Sequence, residues 1–158
     1  MKLIIIAAIG KNNELGLNND LIWRIKEDLN FFKEKTMNHY IVMGKNTFLS
    51  LKRLLPNRKH LVISSLLEEI KDVKIYKSIE EFLNDKTLEN EEIYVIGGYS
   101  IYKELIKYAS IMYLTHINET KEASVFFPMF DTNLYNVETL GEYEENNLQY
   151  TRKKYTKK

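Results

Sequence analysis

Asp28 is the residue that most constrains the chemistry open to this chain. Between Ile25 and Thr36, the apolar residues Ile25, Leu29 and Phe32 recur at helical spacing. On a wheel of about 100° per residue, Asp28 falls about 60° from the centre of that face, between Phe31 and Phe32. An unpaired carboxylate is costly to bury, so at this flank it needs a partner. Two readings stand: a bound ligand supplies donors, or Asp28 is a solvated carboxylate at the edge of the face, near Lys35.

Several short segments could hold anions. Gly44-Lys45-Asn46-Thr47 follows the apolar run Tyr40 to Met43 and opens a predicted short helix, Asn46 to Arg53, with Asn46 or Thr47 as N-cap. Free N–H groups and the positive end of a helix dipole attract phosphate there. It is no Walker loop, since His39 and Asn46 stand where that motif needs Gly and Ser or Thr. Gly97-Gly98 lets backbone approach a ligand closely, and no G-x-G-x-x-G accompanies it. Arg58, after Leu55-Pro56-Asn57, could grip a carboxylate with its fork. The plainer alternatives are an ordinary strand-to-helix turn, a tight Gly turn and a surface arginine. His39, His60 and His116 lack metal-ligand spacing, and neither Ser64 nor Ser65 sits in a G-x-S-x-G elbow. A carboxylate, an anion cradle and an apolar cleft without a nucleophile suit redox chemistry on a bound cofactor better than hydrolysis.

These residues need elements to position them. Leu3 to Ile9 is a nearly continuous apolar run, as in a strand covered on both faces. Gly10 to Asp20 is polar and holds two Asn-Asn pairs, so it is predicted as a long loop. Strands are predicted at Tyr40 to Met43, Leu61 to Ile63, Val73 to Tyr76, Ile93 to Ile96 and Ile111 to Ile117. Ser78 with Glu81 is a capping box before a helix, and Tyr102, Leu105, Ile106 and Ala109 mark another. Strands near Tyr135 to Leu140 and Leu148 to Tyr155 are predicted to pair antiparallel. Alternating strands and helices indicate an α/β fold with a largely parallel sheet, whose ligands bind beyond the carboxyl ends of the strands. Gly44 to Thr47, Ser64-Ser65 and Gly97-Gly98 each follow a strand, so three strand ends could converge on one cleft.

Composition narrows the classes. The 158 residues fit one domain, 1–158, and 44% hydrophobic with 28% charged residues argues against disorder. A net charge of +1 shows no basic field of the kind nucleic-acid binders carry. Only Arg152 to Lys158 is clearly basic, and it is expected to be a solvated, partly frayed end. No Cys is present, which suits a reducing cytosol and excludes disulfides and thiolate metal sites. The apolar run at Met1 to Gly10 is too short to span a membrane and has no cleavage site, so a cytoplasmic protein is expected.

Taken in order, the motifs resemble those of the dihydrofolate reductase family over roughly residues 3–155. Ile6-Ala7-Ala8 is similar to the first strand. Leu15-Gly16 and Leu21-Ile22-Trp23 are similar to the active-site loop, and Asp28-Leu29 with Phe31-Phe32-Lys33 to the substrate helix. Met43-Gly44-Lys45-Asn46-Thr47-Phe48 resembles M-G-R-x-T-[WF], and Leu55-Pro56-Asn57-Arg58 resembles L-P-x-R. Val95-Ile96-Gly97-Gly98 with Ile101-Tyr102 resembles V-I-G-G-x-x-[IV]-Y, and Tyr113 to Ile117 with Phe127-Pro128 completes the set. The chain departs at Ile22 for the usual Pro, Lys45 for Arg, Ser100 for a basic residue and Ser124 for Asp.

The resemblance implies an eight-stranded mixed sheet, mostly parallel, flanked by helices. It implies NADPH-dependent reduction of dihydrofolate to tetrahydrofolate by a monomer, with antifolate-type small molecules as further ligands. Asp28, Thr115 and Trp23 are then the catalytic set. Ile6, Ala7, Leu29, Phe32, Leu51, Leu55, Arg58 and Ile96 would complete the substrate site, Arg58 on the glutamate carboxylate. The cofactor would lie on Ala8, Leu15, Gly16, Gly44, Lys45, Asn46, Thr47, Ser64, Ser65, Lys77 and the segment Gly97, Gly98, Ser100, Ile101, Tyr102. Gly97-Gly98 is expected as a cis peptide. Two alternatives are a riboflavin-pathway pyrimidine reductase of the same fold and a non-enzymatic nucleotide-binding module.

Overall fold

The apolar run after Met1 forms β1 (Lys2–Ile9), which lies between two parallel partners, as continuous hydrophobicity requires. The computed structural model describes residues 1–158 throughout. The chain continues through β2 (Glu14–Leu17), β3 (Asp20–Leu21), α1 (Lys26–Thr36), β4 (Tyr40–Gly44), α2 (Lys45–Ser50), β5 (Lys59–Ile63), β6 (Val73–Tyr76) and α3 (Ile79–Leu83). It ends with β7 (Glu92–Val95), α4 (Tyr99–Leu105), β8 (Ala109–Ile117), β9 (Val125–Phe126), β10 (Tyr135–Glu145) and β11 (Leu148–Lys157).

Eight strands form one sheet in the order β10-β11-β8-β1-β7-β4-β5-β6. The neighbours from β8 to β6 are all parallel, while β11 runs antiparallel to both β8 and β10. Alternate side chains divide the core by face. Ile4, Ile6, Ile41, Met43 and Tyr113 pack with Phe31 and Phe32 of α1 and Phe48 of α2. Leu3, Ile5, Val42 and Val95 pack with Phe82 of α3 and Ile101, Tyr102 and Leu105 of α4. The carboxyl ends of β4, β5 and β7 therefore open on one edge, with α1 and α2 on one side and α4 on the other.

Four expectations are corrected. The stretch after Gly10 is a hairpin rather than a plain loop: β2 and β3 pair around Asn18-Asn19, at φ 51° and 65°, and β9 adds a third strand. Two consecutive positive φ values make a type I′ turn, which Asn tolerates. Helix α2 starts at Lys45 with Gly44 as its N-cap and no side-chain cap, so neither Asn46 nor Thr47 caps it. Ala109 is no helical residue, because it pairs with Leu3 in β8 after a 3-10 turn at Ile106–Tyr108.

The fourth correction concerns the basic tail, which is an inner strand. It lies between β8 and β10, and β10 is acidic, so Glu138 sits opposite Lys154. Charge composition suggested a solvated end; cross-strand pairing with an acidic neighbour orders it instead. Arg152 within it is 1% exposed.

Candidate active site

Helix α1 brings Asp28 to strands β8 and β11. Thr115 of β8 donates to Asp28 Oδ1 at 2.6 Å, and Arg152 Nη2 donates to the same oxygen at 2.7 Å. Arg152 also forks onto Glu27, Nη1 to Oε2 at 3.0 Å and Nη2 to Oε1 at 2.8 Å. Its Nε reaches Thr115 Oγ1 at 3.2 Å. An arginine only donates, so Thr115 accepts from it and spends its own proton on Asp28. Tyr150 adds a hydrogen bond to Glu27 at 2.9 Å. The Arg152 hydrogen bonds hold the Glu27 carboxyl below its usual range, although partial burial opposes this and the Tyr150 hydroxyl adds to it. Burial alone would lower the Arg152 pKa, but Glu27 and Asp28 raise it further than burial lowers it.

Asp28 is thus a half-buried carboxylate with donors on Oδ1 and no protein hydrogen bond on Oδ2. The solvated-edge alternative does not describe it, since its partner is Arg152 rather than Lys35. The apolar walls nearby are partly buried Phe31, Phe32, Leu51, Leu55 and Ile96, with Leu29 of α1 left 42% exposed.

The strand ends converge as the sequence spacing requires. Gly44 N donates to Gly97 O at 2.9 Å, which ties the β4 turn to the β7 turn. The Gly97-Gly98 peptide is cis, and Gly97 has φ +123°. A Cβ on Gly97 would stand 3.4 Å from the Tyr102 ring and 3.5 Å from Thr47 Oγ1, and one on Gly98 also 3.5 Å from Thr47 Oγ1. Side chains at either position would fill the space between the two turns. Helices α2 and α4 begin at Gly44 and Gly98 without side-chain caps, so no capping side chain claims their first N–H groups.

Other expected site residues vary in their placement. Arg58 is half-buried, its Nε on Pro56 O at 2.9 Å and its Nη1 on Thr36 Oγ1 at 3.3 Å, beside the end of α1. His60 beneath it is structural: Nε2 accepts from Leu55 N at 3.0 Å and Nδ1 faces Arg58 O at 3.1 Å. Tyr102 is buried and donates to Ile6 O at 2.8 Å, so its hydroxyl supports a β1 carbonyl. Ser64 is buried and its Oγ caps the following turn, accepting from Leu66 N and Leu67 N. Ser65 and Ser100 are exposed, and Lys77 is exposed with Nζ on Leu67 O at 2.6 Å. Ala7 and Ala8 on β1 and Leu15 on β2 are half-buried, while Gly16 is buried.

The loop that carries Trp23 is anchored by residues that sequence reasoning missed. Glu14 is 2% exposed and accepts from Asn12 N at 2.7 Å and Lys121 N at 2.8 Å. Burial raises its pKa, but the backbone N–H groups of Glu14, Lys121 and Asn12 more than offset this. Ser124, where the family carries Asp, accepts from Asn18 N at 3.0 Å and so still ties the hairpin. Trp23 Nε1 donates to Glu119 Oε1 at 3.2 Å. The missed group with most bearing on Asp28 is Arg152. Its only sequence signal was alternation with Tyr150 on one strand face, hidden by the surrounding lysines. A surface concavity of about 850 Å³, bordered by Lys11, His116, Glu142 and Lys153, does not include Asp28.

Comparison with known proteins agrees with this geometry. The dihydrofolate reductase family model matches residues 2–157. The dihydrofolate reductase of Bacillus subtilis (strain 168) is 37% identical over 157 residues, 97% of this chain and 93% of its own. That of Buchnera aphidicola subsp. Acyrthosiphon pisum is 43% identical over 133 residues, 82% of this chain and 81% of its own. The type 1 dihydrofolate reductase of Escherichia coli is 33% identical over 152 residues, 95% of this chain and 96% of its own. With its sheet order, its strand-end turns and its sequence thus agreeing over nearly the whole chain, this protein belongs to the dihydrofolate reductase family.

Proposed function

We propose that this chain reduces dihydrofolate to tetrahydrofolate with NADPH, and that Asp28 holds the amidine edge of the pterin. The observation that carries this is the state of Asp28: Oδ1 takes two donors from protein, and Oδ2 takes none. A pterin edge offers paired donors, and a carboxylate that receives them makes a strong charge-assisted contact. Asp28 lies beside that edge rather than at the reduced nitrogen, so the proton reaches the ring through water. Leu29, Phe32, Leu51, Leu55 and Ile96 offer apolar surface to the rings, Ile6 and Ala7 border the pterin, and Arg58 receives the glutamate carboxylate.

The residues present fit a nicotinamide dinucleotide. Gly97 and Gly98 leave a gap beside Thr47 that any Cβ would fill, and two uncapped helix starts present N–H groups to phosphate. Lys45, Asn46, Thr47, Ser65, Lys77, Ser100 and Ile101 would hold the phosphates and adenosine, and Ala8, Leu15 and Gly16 would border the nicotinamide. When bound, NADPH supplies the hydride. Trp23, packed beside Ile25, Ile117 and Tyr150, and the hairpin before it would exclude bulk water. We place this activity in a cytoplasmic monomer, in keeping with the absence of cysteine.

The deciding experiment is NADPH oxidation by the purified chain with dihydrofolate present. Turnover that depends on dihydrofolate supports the reading. No turnover with dihydrofolate, but turnover with a ribosylated pyrimidine, would replace it with the riboflavin-pathway alternative. Nucleotide binding with neither activity would reduce the chain to a binding module.

A further inference from the structure

Arg152 is enclosed on every side. The Phe31 ring lies 4.0 Å from its Cζ and the Tyr143 ring 5.0 Å, and its four hydrogen bonds all end on Glu27, Asp28 and Thr115. Stability alone does not explain such a group, because replacing a buried ion pair with apolar side chains is often neutral or stabilising. Its effect falls on Asp28. Two donors on Oδ1 leave Oδ2 as the oxygen free to meet a ligand, and fix the plane of the carboxylate. The cation also stands permanently beside the carboxylate that faces the ligand, and Glu27 balances it. Glu27, Asp28 and Arg152 together carry one net negative charge; losing Arg152 makes it two, and neutralising Glu27 makes it zero.

We propose that Arg152 is a positioning and specificity residue: it aims Asp28 Oδ2 at the ligand and, balanced by Glu27, sets which charge of ligand head the site accepts. A cationic head meets the guanidinium charge across Asp28, whereas a neutral head does not. Arg152 therefore tilts the site toward a neutral 2-amino-4-oxo pyrimidine edge and against a 2,4-diamino head, which pairs with a carboxylate in protonated form, and Glu27 limits that tilt. The inference rests on Asp28 taking the pterin edge, as proposed above.

The test compares dissociation constants of folate and its 4-amino analogue on the full chain, for the parent, Arg152→Gln, Arg152→Lys and Glu27→Gln, with thermal melting alongside. The readout is the ratio of the folate Kd to the 4-amino Kd. Removing the cation in Arg152→Gln should raise that ratio about tenfold, and Glu27→Gln should lower it by a similar factor. Arg152→Lys keeps the charge and should hold the ratio within about threefold while weakening both ligands. A merely structural role weakens both ligands together, so an unchanged ratio in folded Arg152→Gln or Glu27→Gln overturns the proposal. A Lys variant that shifts the ratio as Gln does overturns it too. If Arg152→Gln does not fold, Glu27→Gln, altered at a half-exposed position, decides alone by the sign of its shift. A parent that binds neither head and does not oxidise NADPH removes the functional reading, and this inference with it.

Discussion

At Asp28, exchanging one oxygen for an amide nitrogen changes little in volume and much in hydrogen bonding. Asp28→Asn turns an acceptor into a donor, so either Arg152 and Thr115 or the pterin edge loses its acceptor. Breaking such a charged contact costs roughly 2–5 kcal/mol, or about thirtyfold to several-thousandfold in kcat/KM. The variant should melt near the parent temperature yet lose most reductase activity; kcat/KM within about threefold of the parent would remove Asp28 from the site. A second outcome at this scale concerns the cofactor. Lys45, Ser65 and Lys77 follow strand ends and lie exposed or half-exposed, where a 2′-phosphate could meet them. NADPH should exceed NADH in kcat/KM, modestly because Ser100 brings no charge; equal values would remove these residues from phosphate binding. Asp28 and the Gly pair were legible because each breaks a local pattern, and Thr115 only through the family resemblance. Arg152 and Glu27 were not, because a charge among charges breaks none, and their meaning lies in contacts across more than a hundred residues.

Among the elements, the hairpin after β1 differs from its surroundings. It is held by Glu14, Ser124 and the short β9 rather than by the main sheet. Asn18, Asn19, Asp20 and Leu21 at its tip are exposed. Residues 10–24 should exchange amide hydrogen faster than Leu3 to Ile9 and slow on adding cofactor, as local stability follows buried contacts. Exchange as slow as in β1, unchanged by cofactor, would rule out a gating role. Ser124→Ala should speed exchange at Asn18 in particular, since it removes that residue's acceptor. Strands were legible from apolar runs and the Ser78 cap from its spacing: Ser78 Oγ accepts from Glu81 N at 3.1 Å, though Glu81 Oε2 reaches back to Lys77 N rather than Ser78 N. The hairpin was missed because β2 and β3 are too short for alternation to show. Asn-Asn pairs were its one usable sign, and Asn146-Asn147, at φ 52° and 66°, closes β10 onto β11 in the same way.

For the molecule as a whole, acid is the informative stress. Glu14 and Glu27 both have folded pKa values below ordinary. A depressed carboxylate stabilises fully above its unfolded pKa, about 4.3, and this stabilisation is lost as pH falls through the folded value. Stability should therefore hold steady near neutrality and fall below about pH 4.3, with a shallower fall in a Glu14→Gln, Glu27→Gln double variant. Urea melts across that range check both slopes. Glu14→Gln alone should cost about 1–3 kcal/mol at neutral pH, because the amide N–H then faces either Asn12 N or Lys121 N. The fold class was legible from alternating strands and helices. So was the antiparallel pairing of the last two strands, but the place of β11 between β8 and β10 was not, because strand order depends on long-range pairing. Deleting residues 148–158 should abolish cooperative unfolding rather than trim a loose end, which circular dichroism on heating would show.

Because β11 lies inside the sheet, the protein is also ordered in time. Asp28 and Arg152 are separated by 124 residues. At a synthesis rate of about 5–20 residues per second, roughly 6–25 s pass between the making of the carboxylate and of its partner. Throughout that interval Glu27 and Asp28 have no guanidinium to receive, and β8, once made, has an open edge until β11 pairs with it. A nascent chain can make its inner parallel strands early, yet Asp28 gains its Arg152 partner only once β11 has been made. A ribosome stalled before Arg152 would therefore hold a chain with much of its sheet made and Asp28 without its guanidinium partner.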